Sequence, residues 1–470
     1  ITATASASNG FGIANDKVNI NDYLGGDANG WMYYQNTGTK YNNNTGTPYG
    51  SSYTTNDVIG FAFDADAGSI TAYKNGVSQG VMYSSLAAGT YFPAVSDSGV
   101  ATCSSTANFG QRPFAYTAPS GFKALNTSSL PTPLVTKPST VMDVALYTGN
   151  GSTQTISGLG FSPDFVWTKT RSQANNNFLF DSVRGVGNWL ISDLTTAETY
   201  SANTLTSFNS DGFTTGSNND TNGSGRTFVA WAWDAGSSTV TNTQGSITSQ
   251  VRANASAGFS IITATQPVTA NLGCTVGHGL GVAPSMYIVK DRDLSINWGV
   301  YHSGLSSPAT QALQLSTTSA AFTATNYWKS TSPTSSVLSI GTSIVGEGND
   351  FVVYAFAPVA GYSSFGSYTG NGSSDGPFVY TGFRPRWIMV KNAGATTDWV
   401  IVDTARETYN VVDDFLRPNS SAAEGTRANL ALDILSNGFK HRGLDNFLNG
   451  SNTHVYAAFA ESPFQYARAR

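Results

Sequence analysis

One block of text occurs twice in this chain, and its surroundings keep step with it. Residues 146–152 read Leu-Tyr-Thr-Gly-Asn-Gly-Ser and residues 367–373 read Ser-Tyr-Thr-Gly-Asn-Gly-Ser. Downstream, Phe165-Val166-Trp167-Thr168-Lys169 is answered by Trp387-Ile388-Met389-Val390-Lys391. Asp181-Ser182-Val183-Arg184 is answered by Asp403-Thr404-Ala405-Arg406, at the same offset of 222 residues. A divergent middle copy has Leu280-Gly281-Val282-Ala283-Pro284 before Met286-Tyr287-Ile288-Val289-Lys290. Each copy closes on an apolar strand: 228–233, 351–356 and 455–459. Repetition at this scale implies an array of related modules that bury their faces on one another.

With 470 residues the chain exceeds what one core holds, so several domains are expected. Charged residues are 11%, against roughly 25% in ordinary domains, so Ser, Thr, Asn and Gly must supply the polar surface. The 12% aromatic content argues against disorder. Many short strands joined by turns follow, which makes the fold class all-β, with tandem β-sandwich-like domains. A net charge of −5 offers no footprint for nucleic acid or an anionic membrane. No apolar run reaches the ~18–20 residues that span a bilayer, so membrane insertion is not expected. Ile1-Thr2-Ala3-Thr4 is not a signal peptide, and the missing initiator Met reads as a processed chain or a fragment. Cys103 and Cys274 fall in different modules and read as two buried thiols.

Near the N-terminus, Val58–Asp64 alternates into a Gly-containing turn, and Ser69–Lys74 alternates into Asn75-Gly76. That order is a hairpin signature. Tyr91–Ser96 and Ala107–Gly110 supply further strand candidates. The segments VIGFAFD, ITAYKNGV, GTYFPAVS and ANFGQRPF together resemble the SPRY domain, a β-sandwich for protein recognition. The resemblance implies a binding module without catalytic machinery, and a sandwich whose first strand begins upstream of residue 1. The predicted layout is a SPRY-like sandwich at 1–125 and a Pro/Ser/Thr linker at 126–142. Repeats follow at 143–236, 247–358 (divergent) and 361–464, with a tail at 465–470.

The shared positions of the repeats have local reasons. Asn-Gly at 150–151 and 371–372 supplies the φ > 0 residues of a tight hairpin turn, the opening hairpin of each unit. In the closing strand, Val229, Trp231 and Trp233 lie on one face and Phe228, Ala230 and Ala232 on the other. Both faces are apolar, so both must be covered, by a second layer or by a neighbouring chain. The recurrent Asp181/Arg184 and Asp403/Arg406 fit either a ligand clamp or a structural ion pair. Tyr301-His302-Ser303 occupies that place in the middle copy, which favours structure. A short helix is possible at 422–435.

Enzymatic chemistry finds no foothold. The close carboxylates Asp64/Asp66 and Asp291/Asp293 stand in turn contexts where Asp is expected anyway. His278, His302, His441 and His454 lack metal spacing, and no nucleophile elbow or nucleotide loop is present. Asn218–Gly223 echoes a calcium loop but lacks the closing Glu, and reads as a flexible polar turn. No catalytic, metal or cofactor-binding residue is assigned, and no cofactor is expected.

The segments SFNSDGF (207–213), FVAWAW (228–233), GHGLGVAP (277–284), SYTGNGSSDGPFVYTGFRP (367–385) and YAAFAESPF (456–464) resemble a β-rich module of marine bacteriophage structural proteins, cyanophages among them. The resemblance implies a non-enzymatic virion protein on the particle's exterior, first of all a tail fibre or receptor-binding appendage. The alternative is a capsid or tail decoration protein without a receptor role; a glycan depolymerase ranks third. Expected partners are two further copies in a homotrimer, other virion proteins, and a host-surface glycan or protein. Low charge with abundant aromatics and amides suits glycans. Trp31, Tyr33, Tyr34, Trp298 and Trp328 are the candidate loop contacts.

Overall fold

The computed structural model describes residues 2–3, 9–15, 17–96, 105–268 and 272–465, and they are nearly all antiparallel β-structure. The chain divides into two compact units, 1–130 and 131–470.

The first unit is a sandwich. One sheet holds β1 (Gly10–Asn15), β2 (Gly30–Tyr34), β3 (Thr39–Asn42), β4 (Thr45–Pro48) and β8 (Tyr91–Ser96), in the order β4-β3-β2-β1-β8. The other holds β5 (Ile59–Asp64), β6 (Ser69–Lys74) and β7 (Val77–Tyr83), in sequence order. Asn75 and Gly76 both have positive φ, 49° and 80°, as the β6–β7 turn demands. Phe11, Ile13 and Tyr33 from one sheet pack on Ile59, Ile70, Ala72 and Met82 from the other. Residues 107–110 are irregular, so the strand expected there is not formed; Ser105–Thr106 pairs with Thr2–Ala3 instead. Cys103 lies outside the described residues.

The second unit holds three modules, each with an inner and an outer sheet. Module 1 comprises β9 (Met142–Thr148), β10 (Gln154–Ser157), β11 (Phe165–Thr170), β12 (Asn177–Asp181), β13 (Asn188–Ile191), β14 (Leu205–Asn209), β15 (Gly212–Thr215), α1 (Asn219–Asn222) and β16 (Thr227–Trp233). Module 2 comprises a leading hairpin of β17 (Thr239–Asn242) and β18 (Ser249–Asn254), then β19 (Phe259–Thr265), β20 (Cys274–Gly277), β21 (Met286–Asp291), β22 (Gly299–His302), β23 (Gln311–Gln314), β24 (Val337–Ile340) and β25 (Asp350–Phe356). Module 3 comprises β26 (Ser363–Thr369), β27 (Phe378–Tyr380), β28 (Phe383–Asn392), β29 (Trp399–Asp403), β30 (Leu432–Leu435), β31 (Gly438–His441), α2 (Asn446–Asn449) and β32 (Thr453–Pro463). The inner sheets share one order of opening, closing, lysine-bearing and following strand: β9-β16-β11-β12, β19-β25-β21-β22 and β26-β32-β28-β29. The middle copy is therefore a full member of the set despite its divergent text.

Both faces of each closing strand are covered. Phe228, Ala230 and Ala232 pack under the outer sheet of module 1 with Ile156 and Phe213. The opposite face carries Val229, Trp231 and Trp233 into a core shared by all three modules. There the rings of Trp233, Phe356 and Phe459, one per module, meet pairwise at 5.6–6.4 Å between centroids. These residues occupy one register position, opposite Phe165, Met286 and Trp387 respectively. The three inner sheets thus surround an internal pseudo-threefold axis. The void left among them is ~10 Å³, at the lower bound for one water, so the axis is filled by side chains.

Two expectations fail here. Residues 422–435 form no helix: Gly425–Thr426 pairs with Asp414–Phe415, 428–430 make one 3-10 turn, and β30 follows. Strand pairing available in the assembled fold outweighs local helix propensity in that run. Asn218–Gly223 is not a loose turn, because Asn218 caps the single helical turn α1 by accepting the Asp220 N–H at 2.7 Å. The stretch read as a linker also contributes to structure: Val135 joins the shared core, and Pro138, itself buried, starts a 3-10 turn.

Candidate functional site

The polar residues that repeat between modules converge on the seams around the axis. Each module sends an arm onto the next, and the arms close a cycle. The Glu198 N–H donates to Arg292 O at 2.7 Å, Ala321 to Ala393 O at 2.9 Å, and Glu424 to Arg171 O at 3.0 Å. Module 1 thereby reaches module 2, module 2 reaches module 3, and module 3 returns to module 1.

Two seams carry buried ion networks of the same design. At the seam of modules 1 and 2, the Asp181 Oδ1 accepts the Val183 and Arg184 N–H groups, which forms the turn, while Oδ2 receives Arg184 Nε at 2.5 Å. The neighbouring module adds Tyr354, whose hydroxyl donates to Asp181 Oδ2 at 2.8 Å. Glu198 then joins Arg184 at 2.6 Å and Arg292 at 2.7 Å. At the seam of modules 3 and 1, Asp403 takes the Trp231 indole N–H at 3.0 Å and Arg406 at 2.6 Å, and Glu424 joins Arg406 at 2.7 Å and Arg171 at 2.8 Å. Burial pushes Asp403 upward, but the Arg406 guanidinium and the Trp231 N–H overcome it and hold the carboxyl below its ordinary range. These Asp–Arg pairs are the structural ion pairs that the repetition suggested, and they also bind module to module.

Lys169, Lys290 and Lys391 are fully buried; Lys169 and Lys391 each reach into a neighbouring module, whereas Lys290 bonds within its own. Burial lowers each amine to about 8. Their Nζ atoms donate to backbone carbonyls. Lys169 reaches Ser421 O at 3.0 Å, Lys290 reaches Leu294 O at 2.8 Å, and Lys391 reaches Thr318 O at 3.1 Å. The hydrogen bonds and ion pairs named for these networks all run within the fold, from one module to the next or within one module.

The remaining polar motifs also serve the scaffold. Asn222 of α1 accepts the Asn150 N–H at 3.1 Å and donates to Gly216 O at 2.8 Å; Asn449 of α2 does the same for Asn371 and Gly443 O, both at 3.0 Å. The repeated Thr-Gly-Asn-Gly turn is therefore not the expected hairpin: it joins strands of different sheets, only its Gly151 and Gly372 have positive φ, and a buried asparagine moors it. Asp64 and Asp291 cap their own turns, each through Oδ1 to two backbone N–H groups. Glu407, Asp413 and Asp414 bring carboxylate oxygens within 4.8 Å of one another, but Glu407 Oε2 already accepts the N–H groups of Asp413 and Asp414. Cys274 is buried, as expected, with its thiol pushed up to about 12 by burial.

The predicted contact residues are largely interior. Tyr33 is fully buried between the sandwich sheets, against Tyr49 and Tyr53. Trp298 is buried and donates across a seam to Ile191 O at 2.9 Å; Trp328 is buried against Tyr287 and donates to Gln311 O at 2.9 Å. These three are corrected to core residues. Large rings in a chain this poor in charge are the main source of buried area, so the fold claims them first. Trp31 and Tyr34 are half-buried, and they lie on β2 rather than in a loop, against Tyr91 and Tyr41.

The aromatics left at the surface were not singled out by sequence. Phe378 and Tyr380 are 44% and 56% exposed on the outer sheet of module 3, flanking buried Val379. Module 1 has Thr155 and Ser157 around Ile156 at that place, so comparison of the copies held the signal. Lys440–Asp375 and Arg442–Asp433 pairs, at 2.7 and 2.5 Å, lie on the same sheet.

Fold and seams define a class: a two-sheet β-sandwich, followed in the same chain by a three-module β ring. Residues 137–463 match the family described as "Domain of unknown function (DUF7483)", and the chain belongs to that family. Residues 1–112 match the SPRY domain. No curated protein matches the chain at a significant level.

Proposed function

We propose that the protein is a non-enzymatic bacteriophage virion protein, a tail fibre or receptor-binding appendage on the particle exterior. The observation that carries this reading is the joining of a SPRY domain to a ring whose recurrent ionisable side chains are consumed in holding its own modules together. Such a ring suits a rigid mount, and a SPRY sandwich suits recognition of a partner. The surface of Phe378 and Tyr380, with its charges paired off, suits neutral sugar rings, which pack on aromatic faces. The partners in this reading are other virion proteins, a host-surface glycan or protein, and further copies of the chain in a homotrimer.

The test is binding of the purified chain to susceptible host cells, together with competition against infection. Saturable binding that blocks adsorption, weakened by Phe378→Ala with Tyr380→Ala or by removal of residues 1–130, supports the proposal. Absence of both binding and competition overturns it. Labelled antibody that decorates the capsid or tail shaft instead of the distal tip would favour the decoration-protein reading.

A further inference from the structure

The third seam, between modules 2 and 3, departs from the other two at each position of their aspartate–arginine–glutamate networks. His302 stands at the register position of Asp181 and Asp403, opposite Met286 where those face Phe165 and Trp387. Three residues on, Leu305 replaces Arg184 and Arg406. Ala321 and Ala393 exchange the arm hydrogen bond that Glu198 and Arg292, and Glu424 and Arg171, exchange elsewhere. On the facing strand, Ala457 takes the place of Tyr354 and Trp231, so no side chain of that position can donate.

His302 compensates with both ring nitrogens. Nδ1 accepts the Gly304 N–H at 3.0 Å, a bond that closes the same turn as the aspartates do. Nε2 then carries the proton and donates across the seam to the Tyr456 carbonyl at 3.0 Å. The bonds fix the tautomer, and they also fix the charge: a proton on Nδ1 would face the Gly304 N–H with no acceptor. The ring is buried, and the elements packed around it offer no countercharge. Beside its turn lies the Gly366 backbone of β26, and β32 brings the Tyr456 phenol, bonded to Ser364 at 3.1 Å, and His454. Lys391 is the charge on the facing module at this seam, held by carbonyls. Burial is the leading cause that lowers His302, to about 4, and the Tyr456 carbonyl only partly opposes it.

We propose that the ring has one acid-sensitive seam, between modules 2 and 3, and that protonation of His302 releases it while the two ion-paired seams stay closed. Protonation at Nδ1 breaks the turn bond and leaves a buried, unpaired cation, which is relieved by opening the seam to water. At the other two seams the carboxylates are paired with buried arginines, and the Arg406 guanidinium beside Asp403 and the arginines beside Glu198 hold those two below the ordinary carboxylate range.

Hydrogen exchange on the full chain between pH 7 and pH 5, corrected for intrinsic rates, tests this. Peptides covering 299–305 are expected to lose protection by about 30-fold, while those covering 179–184 and 401–406 hold theirs. His302→Asn keeps an acceptor for Gly304 but cannot titrate, and is expected to abolish the step whatever its stability at pH 7. His454→Phe, which copies Phe228 of module 1, is expected to retain it. Equal loss at all three seams, no loss at the third, a step that persists in His302→Asn, or one that vanishes in His454→Phe overturns the proposal. Should His302→Asn fail to fold, the three-seam comparison in the unaltered chain still decides.

Discussion

Replacing Asp403 with Ala strips the seam of modules 3 and 1 of its centre. Four hydrogen bonds go at once: those from Trp231 Nε1 at 3.0 Å, Arg406 Nε at 2.6 Å, and the Ala405 and Arg406 N–H groups at 3.2 and 3.0 Å. The Arg406 side chain is fully buried and would keep only Glu424 and the Ile401 carbonyl. Removing one partner of a buried pair costs about 3–5 kcal/mol, because the other charge stays behind unpaired. The modules share one core, so the second unit, about 340 residues, is expected to melt as one. At about 2.1 cal/mol/K per residue, its unfolding entropy converts that loss into a fall in Tm of about 4–7 °C. The assay is calorimetry on Asp403→Ala, beside Asp403→Leu combined with Arg406→Met. The double variant removes both charges and is expected to recover several kcal/mol relative to the single one. A single-variant loss under about 1 kcal/mol, as for an exposed pair, or strict additivity in the double variant, would refute the account of the seam.

Acid should weaken module 3 through a second route. Tyr368 stacks on His454 at 5.0 Å and packs on His441 at 4.7 Å, where module 1 has Phe228 and Thr215. Burial lowers both histidines, His441 to about 3, so below pH 6.5 the unfolded chain binds more protons and stability present at neutral pH is lost. By pH 5 this amounts to about 2 kcal/mol for His441, and His454→Phe should make the fall of stability with pH shallower in denaturant titrations. Asn222→Ala should cost about 1–3 kcal/mol and selectively raise exchange at 149–152, since it orphans the Asn150 N–H and the Gly216 carbonyl. Cys274 should resist thiol reagents in the folded chain at pH 8 and react on addition of denaturant, consistent with a raised pKa and burial.

Much of this architecture was legible from alternation and repetition. The hairpin at 59–74, the three lysine-bearing strands and the apolar closing strands all fall where the sequence places them. Two apolar faces on Thr227–Trp233 required cover on both sides, and that is what the strand receives. What covers one of those faces was not legible. A pattern of periods says that a face is buried but not whether its partner belongs to the same chain. The aromatic contact candidates failed for a related reason. Trp298 and Trp328 lie in short or irregular stretches, where no period reports the direction of the side chain, and only the assembled seam and module core absorb them. The substitution of His302 for aspartate was visible in the aligned copies. Its meaning needed Leu305, Ala321, Ala393 and Ala457 to be seen around one seam.

The triangle of Trp233, Phe356 and Phe459 has a consequence for how such a protein changes over time. In an association of three identical chains, each substitution near the axis is made three times and must be tolerated in triplicate. Here the three corners are encoded separately, so a tryptophan can oppose two phenylalanines and a histidine seam can coexist with two aspartate seams. A single polypeptide that folds around its own threefold can vary one side at a time.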